Sequence, residues 1–139
     1  MRNSKPILLV EDDSVDAMTT KRALQDLNVT NQPVHKVNGE QALEYLRGKG
    51  NQKPCVILLD MNMPRMNGIE FLKIAKADDE LKQIPVVVLT TSNGEQDRAE
   101  SFKLSVAGYV VKPTDYTKFV EAIKTICDYW TLSELPDGE

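Results

Sequence analysis

Three apolar runs, Ile7 to Val10, Val56 to Leu59 and Val86 to Leu89, are each four residues long and hold no polar residue. A strand with one face in water alternates apolar and polar side chains, so runs that do not alternate belong to strands covered on both faces. Covering a sheet on both faces requires helices above and below it. The intervening stretches supply them. Ala17, Thr20, Leu24 and Leu27 fall on one helical face, as do Ala42, Leu43 and Leu46 behind the cap-and-turn pair Asn38-Gly39, and Phe71, Leu72 and Ala75 after them. Ala99, Phe102 and Val106 form a fourth stripe and Phe119, Val120, Ile123, Cys127 and Trp130 a fifth, which Thr114 or Asp115 would cap; all five stripes are expected to face the core. Val34-His35-Lys36-Val37 alternates and reads as an edge strand with His35, the one histidine, on its solvated face. Tyr109-Val110-Val111 closes the set as a short fifth strand.

Five alternations of strand and helix, joined by right-handed crossovers, predict an α/β, flavodoxin-like doubly wound (βα)5 domain with a parallel sheet in the order 2-1-3-4-5. The domain is expected to occupy residues 1–130, followed by a short acidic tail, 131–139, with Pro136 and Gly138 near its end. Composition excludes several classes of protein. No apolar run approaches the ~20 residues of a membrane span, and Ile7 to Val10 is too short for a signal peptide, so a cytoplasmic protein is expected. A net charge of −4 gives no footprint for nucleic acid. Cys55 and Cys127 lack metal-ligand spacing and read as reduced core thiols.

In an open α/β sheet, chemistry gathers at the carboxyl ends of strands where the winding reverses, here between the first and third strands. The run Val56 to Leu59 stops at Asp60, and Pro64 and Gly68 follow, so the chain turns there and leaves Asp60 exposed at a strand end. The first strand ends in Glu11-Asp12-Asp13, the fourth in Thr90-Thr91-Ser92 and the fifth in Lys112-Pro113. Crowded carboxylates repel one another unless a cation neutralises them, and a site of hard oxygen donors selects Mg2+. Asp12 and Asp60 are the expected direct ligands, Glu11 a closer or water-mediated helper, and Asp13 the helix cap. A carboxylate oxygen of Asp60 could then attack a phosphoryl group, with Mg2+ and Lys112 offsetting its charge and Thr90 donating a hydrogen bond to it.

The strand closed by Glu11-Asp12, the Leu59-Asp60-Met61-Asn62-Met63-Pro64 run with Gly68 behind it, Thr90 five residues after Pro85, and Lys112-Pro113 together resemble a response-regulator receiver domain from end to end. The resemblance implies a two-component signalling switch rather than a conventional enzyme. It would take its phosphoryl group from a sensor histidine kinase or phosphotransfer protein, catalyse its own phosphorylation with Mg2+, and lose the group slowly. It further implies that Asp60 is the phosphoacceptor, that Glu11, Asp12 and Asp60 with the Asn62 backbone carbonyl hold the metal, and that Thr90 and Lys112 bind the phosphoryl group. Tyr109 would be the aromatic switch, turning inward beside Thr90, and the Lys112-Pro113 bond is usually cis in such domains. Thr91 departs from the Ala, Ser or Gly common at its position. The acidic start, the segment Ile84 to Ser92, and Tyr129-Trp130 followed by Leu135-Pro136 resemble stand-alone receivers that serve bacterial phytochromes, although here the chain continues with Asp137-Gly138-Glu139. The expected output is binding, to a partner or to a second copy through the fourth helix, fifth strand and fifth helix, or onward relay of the phosphoryl group. Two other readings compete. An aspartyl-phosphate phosphohydrolase of the haloacid dehalogenase type wants a second Asp where Asn62 stands. A flavodoxin-like cofactor-binding protein wants a phosphate loop where Glu11 to Asp13 would repel one.

Overall fold

The computed structural model describes residues 5–63, 65–91 and 94–130; Pro64, Ser92 and the tail from 131 to 139, all invoked above, lie outside the described residues. The elements follow in the order β1 (Ile7–Val10), α1 (Ser14–Asp26), β2 (Pro33–Lys36), α2 (Gly39–Arg47), β3 (Val56–Leu59), α3 (Gly68–Ala77), a 3-10 turn (Leu81–Gln83), β4 (Val86–Thr90), α4 (Glu95–Lys103), β5 (Gly108–Val111) and α5 (Tyr116–Trp130). The strands form one sheet in the order β2-β1-β3-β4-β5, and every pairing is parallel. The expected topology is therefore the observed one.

The three unalternating runs occupy the middle of the sheet, and each of their residues is buried. Successive side chains feed opposite layers. Leu8, Val10, Ile57, Leu59, Val86 and Val88 pack with Leu43 of α2 and Phe71 and Leu72 of α3. Ile7, Leu9, Val56, Leu58, Val87 and Leu89 pack with Leu24 of α1 and Phe119 and Ile123 of α5. Fully burying one such side chain is worth about 1.5–3 kcal/mol. Two slabs of core therefore clamp β1, β3 and β4 in register, and the register sets their ends level: Val10 pairs with Leu59, and Leu59 with Val88. Pro33 opens the edge strand β2, where a missing amide costs no central ladder bond.

Helix starts follow the expected chemistry. Asp13 caps α1 through the amides of Val15 and Asp16, and Asn38 caps α2 through that of Gln41. Asp115 accepts from the Thr117 amide at the start of α5, which decides between the two candidate caps. Ile126 joins the buried side of α5, whereas Val120 and Trp130 are half-buried. Cys55 and Cys127 are buried thiols, as expected. Among the described residues, no helix is long and apolar enough to cross a membrane.

The structure corrects three expectations. The α4 stripe does not face the core: Ala99 is exposed, Phe102 is 51% exposed, and the buried residue of the helix is Ser101. Val106 does reach the core, but from beyond the helix, which stops at Lys103 before Ser105 turns the chain at φ 65°. A helix docked by so little apolar surface is held weakly. Its amides are accordingly expected to exchange with solvent deuterium at least about tenfold faster than those of α3. Protection in α4 equal to that in α3 would contradict this.

His35, expected on a solvated face, is half-buried, with Nε2 2.7 Å from the Glu11 carbonyl oxygen; the edge strand lies close enough to β1 for its ring to reach the strand end. Lys112-Pro113 is not cis, since no described peptide bond is. The trans preference of an X-Pro bond is about 0.5–1 kcal/mol, and Lys112 is placed by its strand in any case, its amide donating to the Thr90 carbonyl at 2.8 Å.

Candidate functional site

The site begins where β1 runs out. The Glu11 amide donates to the Lys36 carbonyl at 3.0 Å, and the Glu11 carbonyl meets His35 Nε2, so β2 holds the Glu11 backbone through both its amide and its carbonyl. A carbonyl can only accept, so the ring nitrogen is the donor. The next turn is held as firmly: Glu11 Oε2 accepts from the Asp13 amide at 3.3 Å while the Asp13 carboxylate caps α1. Beside it, the Asp60 amide donates to the Val10 carbonyl at 3.1 Å, which sets the end of β3 against the acidic turn.

Glu11, Asp12 and Asp60 each present a carboxylate oxygen within 4.8 Å of the others. Three acids, one exposed and two buried, make a cluster of hard oxygen donors, the donor set a small divalent cation requires. Asp60 is 7% exposed rather than open at a strand end as expected. The reason is tertiary. Thr90 Oγ1 donates to Asp60 Oδ1 at 2.7 Å from β4, and Lys112 comes over from the end of β5. The Lys112 ammonium touches Glu11 Oε1 directly and Asp16 Oδ2 at 3.2 Å. All five acids and donors expected at the strand ends, Glu11, Asp12, Asp60, Thr90 and Lys112, are thus brought together. Asn62 is exposed two residues past Asp60. Tyr109 pairs with Val88 and packs half-buried against the α2/α3 layer, on β5 beside the strand that carries Thr90.

Sequence reasoning missed Asp16 and the contact of His35. Asp16 sits four residues past Asp12, in the first turn of α1, a spacing that turns an acid back toward a strand end; its partner, 96 residues away, has no local signal.

Burial pushes the Glu11 carboxyl up from 4.5 to about 7, against the pull of the Lys112 hydrogen bond and charge and with the help of the neighbouring Asp60 carboxylate. Burial acts on Lys112 in the opposite sense, but the hydrogen bond and charge of Glu11, with the charges of Asp60 and Asp16, outweigh it and hold the ammonium above its ordinary value. Folding therefore binds the Glu11 proton more tightly than the unfolded chain does. The stability this contributes is complete below about 4.5 and lost as pH rises through about 7. Without divalent metal, unfolding free energy is expected to fall by about 2–3 kcal/mol across that window. Glu11→Gln should flatten the profile in denaturant titrations; an unchanged slope in the variant would move the effect to another group.

Comparison with known proteins adds family information to this geometry. A family model described as the response regulator receiver domain matches residues 7–124. The probable methanogenesis regulatory protein FilR2 of Methanothrix harundinacea is 37% identical over 127 residues, covering 89% of this chain and 82% of that one. Among solved structures, the phosphorylated cyanobacterial phytochrome response regulator RcpA is similar with a TM-score of 0.88 and 37% identity, covering 96% of this chain and 99% of its own. The Mn2+-bound form of response regulator Rcp1 is similar with a TM-score of 0.85 and 34% identity, covering 95% and 99%.

Proposed function

This chain belongs to the response regulator receiver domain family, and on that premise we propose that it is a phosphoryl-accepting switch with Asp60 as acceptor, working with Mg2+. The observation that carries the reading is the meeting of four strand ends at one site: Asp60 of β3, two further acids from β1, the Thr90 hydroxyl of β4 on Asp60, and the Lys112 ammonium from β5 on Glu11.

Glu11, Asp12 and Asp60 would hold the metal, with the Asn62 carbonyl completing the set, and the metal would supply charge neutralisation at the phosphoryl oxygens. The chain does the rest. One Asp60 oxygen is engaged by the Thr90 hydroxyl, which leaves the other as nucleophile. Lys112 lies one side chain away on Glu11 and swings to the phosphoryl oxygens as negative charge arrives. Thr90 transfers its hydrogen bond from the carboxylate to the phosphoryl group. That motion vacates space beside β5, into which Tyr109 turns from its half-buried position. The α4-β5-α5 face then differs between the two states. Phe102 and Val111 are exposed there, which supports it as the surface for a downstream protein or a second copy.

The phosphoryl donor in this reading is a sensor histidine kinase or phosphotransfer protein, with the likeness to phytochrome response regulators favouring a light-sensing kinase. A dehalogenase-type hydrolase finds no second acid at Asn62, and a bound cofactor phosphate would meet Glu11, Asp12 and Asp13. Incubation with acetyl phosphate and Mg2+, read by intact mass, tests the proposal. A gain of one phosphoryl group that EDTA prevents is expected, and no gain with metal present would overturn it. Thr91 is exposed and lines a groove together with Lys112, where its branched side chain would narrow the approach of water to a phosphoryl group on Asp60. Thr91→Ala is expected to speed loss of the phosphoryl group several-fold in a single-turnover mass assay, and an unchanged rate would remove Thr91 from the account.

A further inference from the structure

Lys112 lies between two carboxylates with opposite surroundings. Its side chain is 9% exposed, that of Glu11 3% and that of Asp16 41%. If Glu11 serves a cation, as the receiver reading on which this inference rests requires, its carboxylate, already engaged through Oε1 by Lys112 and through Oε2 by the Asp13 amide, is shared with the metal and its hold on the ammonium weakens. A buried ammonium stripped of its carboxylate is strongly disfavoured. Among the described residues, the other carboxylate within ion-pair distance of Lys112 is Asp16.

We infer that Asp16 is a positioning residue for Lys112: it holds the ammonium charged and close to Asp60 when Glu11 turns to the metal. The placement suits the task. Asp16 is in the first turn of α1, where a negative charge is favoured by the helix dipole, and its amide is fixed by the Asp13 cap. Its carboxylate opens on a groove lined by Thr19, Thr91, Lys112 and Tyr116, so the pair can shift toward or away from Asp60 without repacking either core layer. Because the pair is partly wet, its grip on Lys112 is weak enough to yield to a phosphoryl group. A fully buried second carboxylate would hold the ammonium against it.

The inference predicts that metal binding depends on Asp16 through Lys112 rather than through its charge alone. Mg2+ affinity is measured by titration calorimetry for the wild-type chain, Asp16→Asn, Asp16→Glu and Asp13→Asn. The last removes one charge from the same helix start, while an Asn still serves as the cap and makes no contact with Lys112. Asp16→Asn is expected to weaken Mg2+ binding roughly three- to tenfold, Asp16→Glu to restore it to within about twofold, and Asp13→Asn to stay within about twofold of wild type. An Asp16→Asn value within twofold of wild type, or an equal loss in Asp13→Asn, would overturn the inference while leaving the receiver reading intact. A wild-type chain that binds no Mg2+ would overturn that reading and the inference with it.

Discussion

Asp60→Asn is expected to leave the chain folded, more stable without metal, and unable to take up a phosphoryl group. The three effects have separate causes. An amide offers no anionic oxygen, so the variant loses the nucleophile and phosphoryl uptake falls by several orders of magnitude. The fold survives because the Asn carbonyl still accepts the Thr90 hydroxyl that Asp60 Oδ1 accepts at 2.7 Å, and because the backbone bond to Val10 is unaffected. Stability rises because the Asp60 carboxylate is one of the charges pressing the Glu11 proton on, and removing it relieves a like-charge contact between two buried acids. A gain of about 1 kcal/mol near pH 8 is expected in denaturant titration without divalent metal. Intact mass after incubation with acetyl phosphate and Mg2+ reads the first effect. A phosphoryl gain in the variant equal to wild type would place the acceptor elsewhere and undo the assignment, whereas a variant less stable than wild type would show that the carboxylate is held by more than Thr90.

Some of this was legible in the sequence because it depends on local pattern. The central strands declare themselves through unbroken apolar runs, and the reactive groups follow directly after those runs, so strand order alone delivers Asp60 next to Glu11 and Asp12. What depends on contacts between distant segments was not legible. The burial of Asp60 is made by Thr90, 30 residues on, and Asp16 meets Lys112 across 96 residues. His35 alternates as an edge-strand residue should, yet its ring reaches back over the sheet end to the Glu11 carbonyl, which no periodicity announces. The α4 stripe failed for another reason. Glu-Gln-Asp-Arg-Ala-Glu-Ser-Phe-Lys has too little apolar surface to bury, and the helical period was carried through Ser105, where the backbone leaves the helix.

Gly68→Ala is expected to damage both the fold and the chemistry, because the glycine touches the same strand end from the other side. A Cβ there would stand 2.9 Å from the Asp60 carbonyl oxygen and 2.9 Å from Met61 Cα, and would clash with Met61 Cε. The methyl end of Met61 can swing away; the two backbone atoms cannot. The start of α3 must therefore move off the end of β3. That motion strains the Gly68 amide bond to the Met61 carbonyl at 3.1 Å and the capping box between Asn67 and Glu70. The expected cost is about 2–3 kcal/mol, or a fall in Tm of roughly 10 °C. Phosphoryl uptake should slow by at least about tenfold, since a displacement near 1 Å at a reacting group can cost two orders of magnitude. Gly39→Ala is the control. The atoms nearest its new Cβ all belong to the Met66 side chain, Cγ and Sδ at 2.9 Å and Cβ at 3.1 Å; the half-buried end of that side chain can rotate, and Cβ needs to give by only a few tenths of an ångström. A loss under about 1 kcal/mol with unchanged uptake is expected for it. Equal outcomes for the two glycines, in thermal unfolding and in the rate of mass gain, would show that the Asp60 backbone has slack the structure denies it.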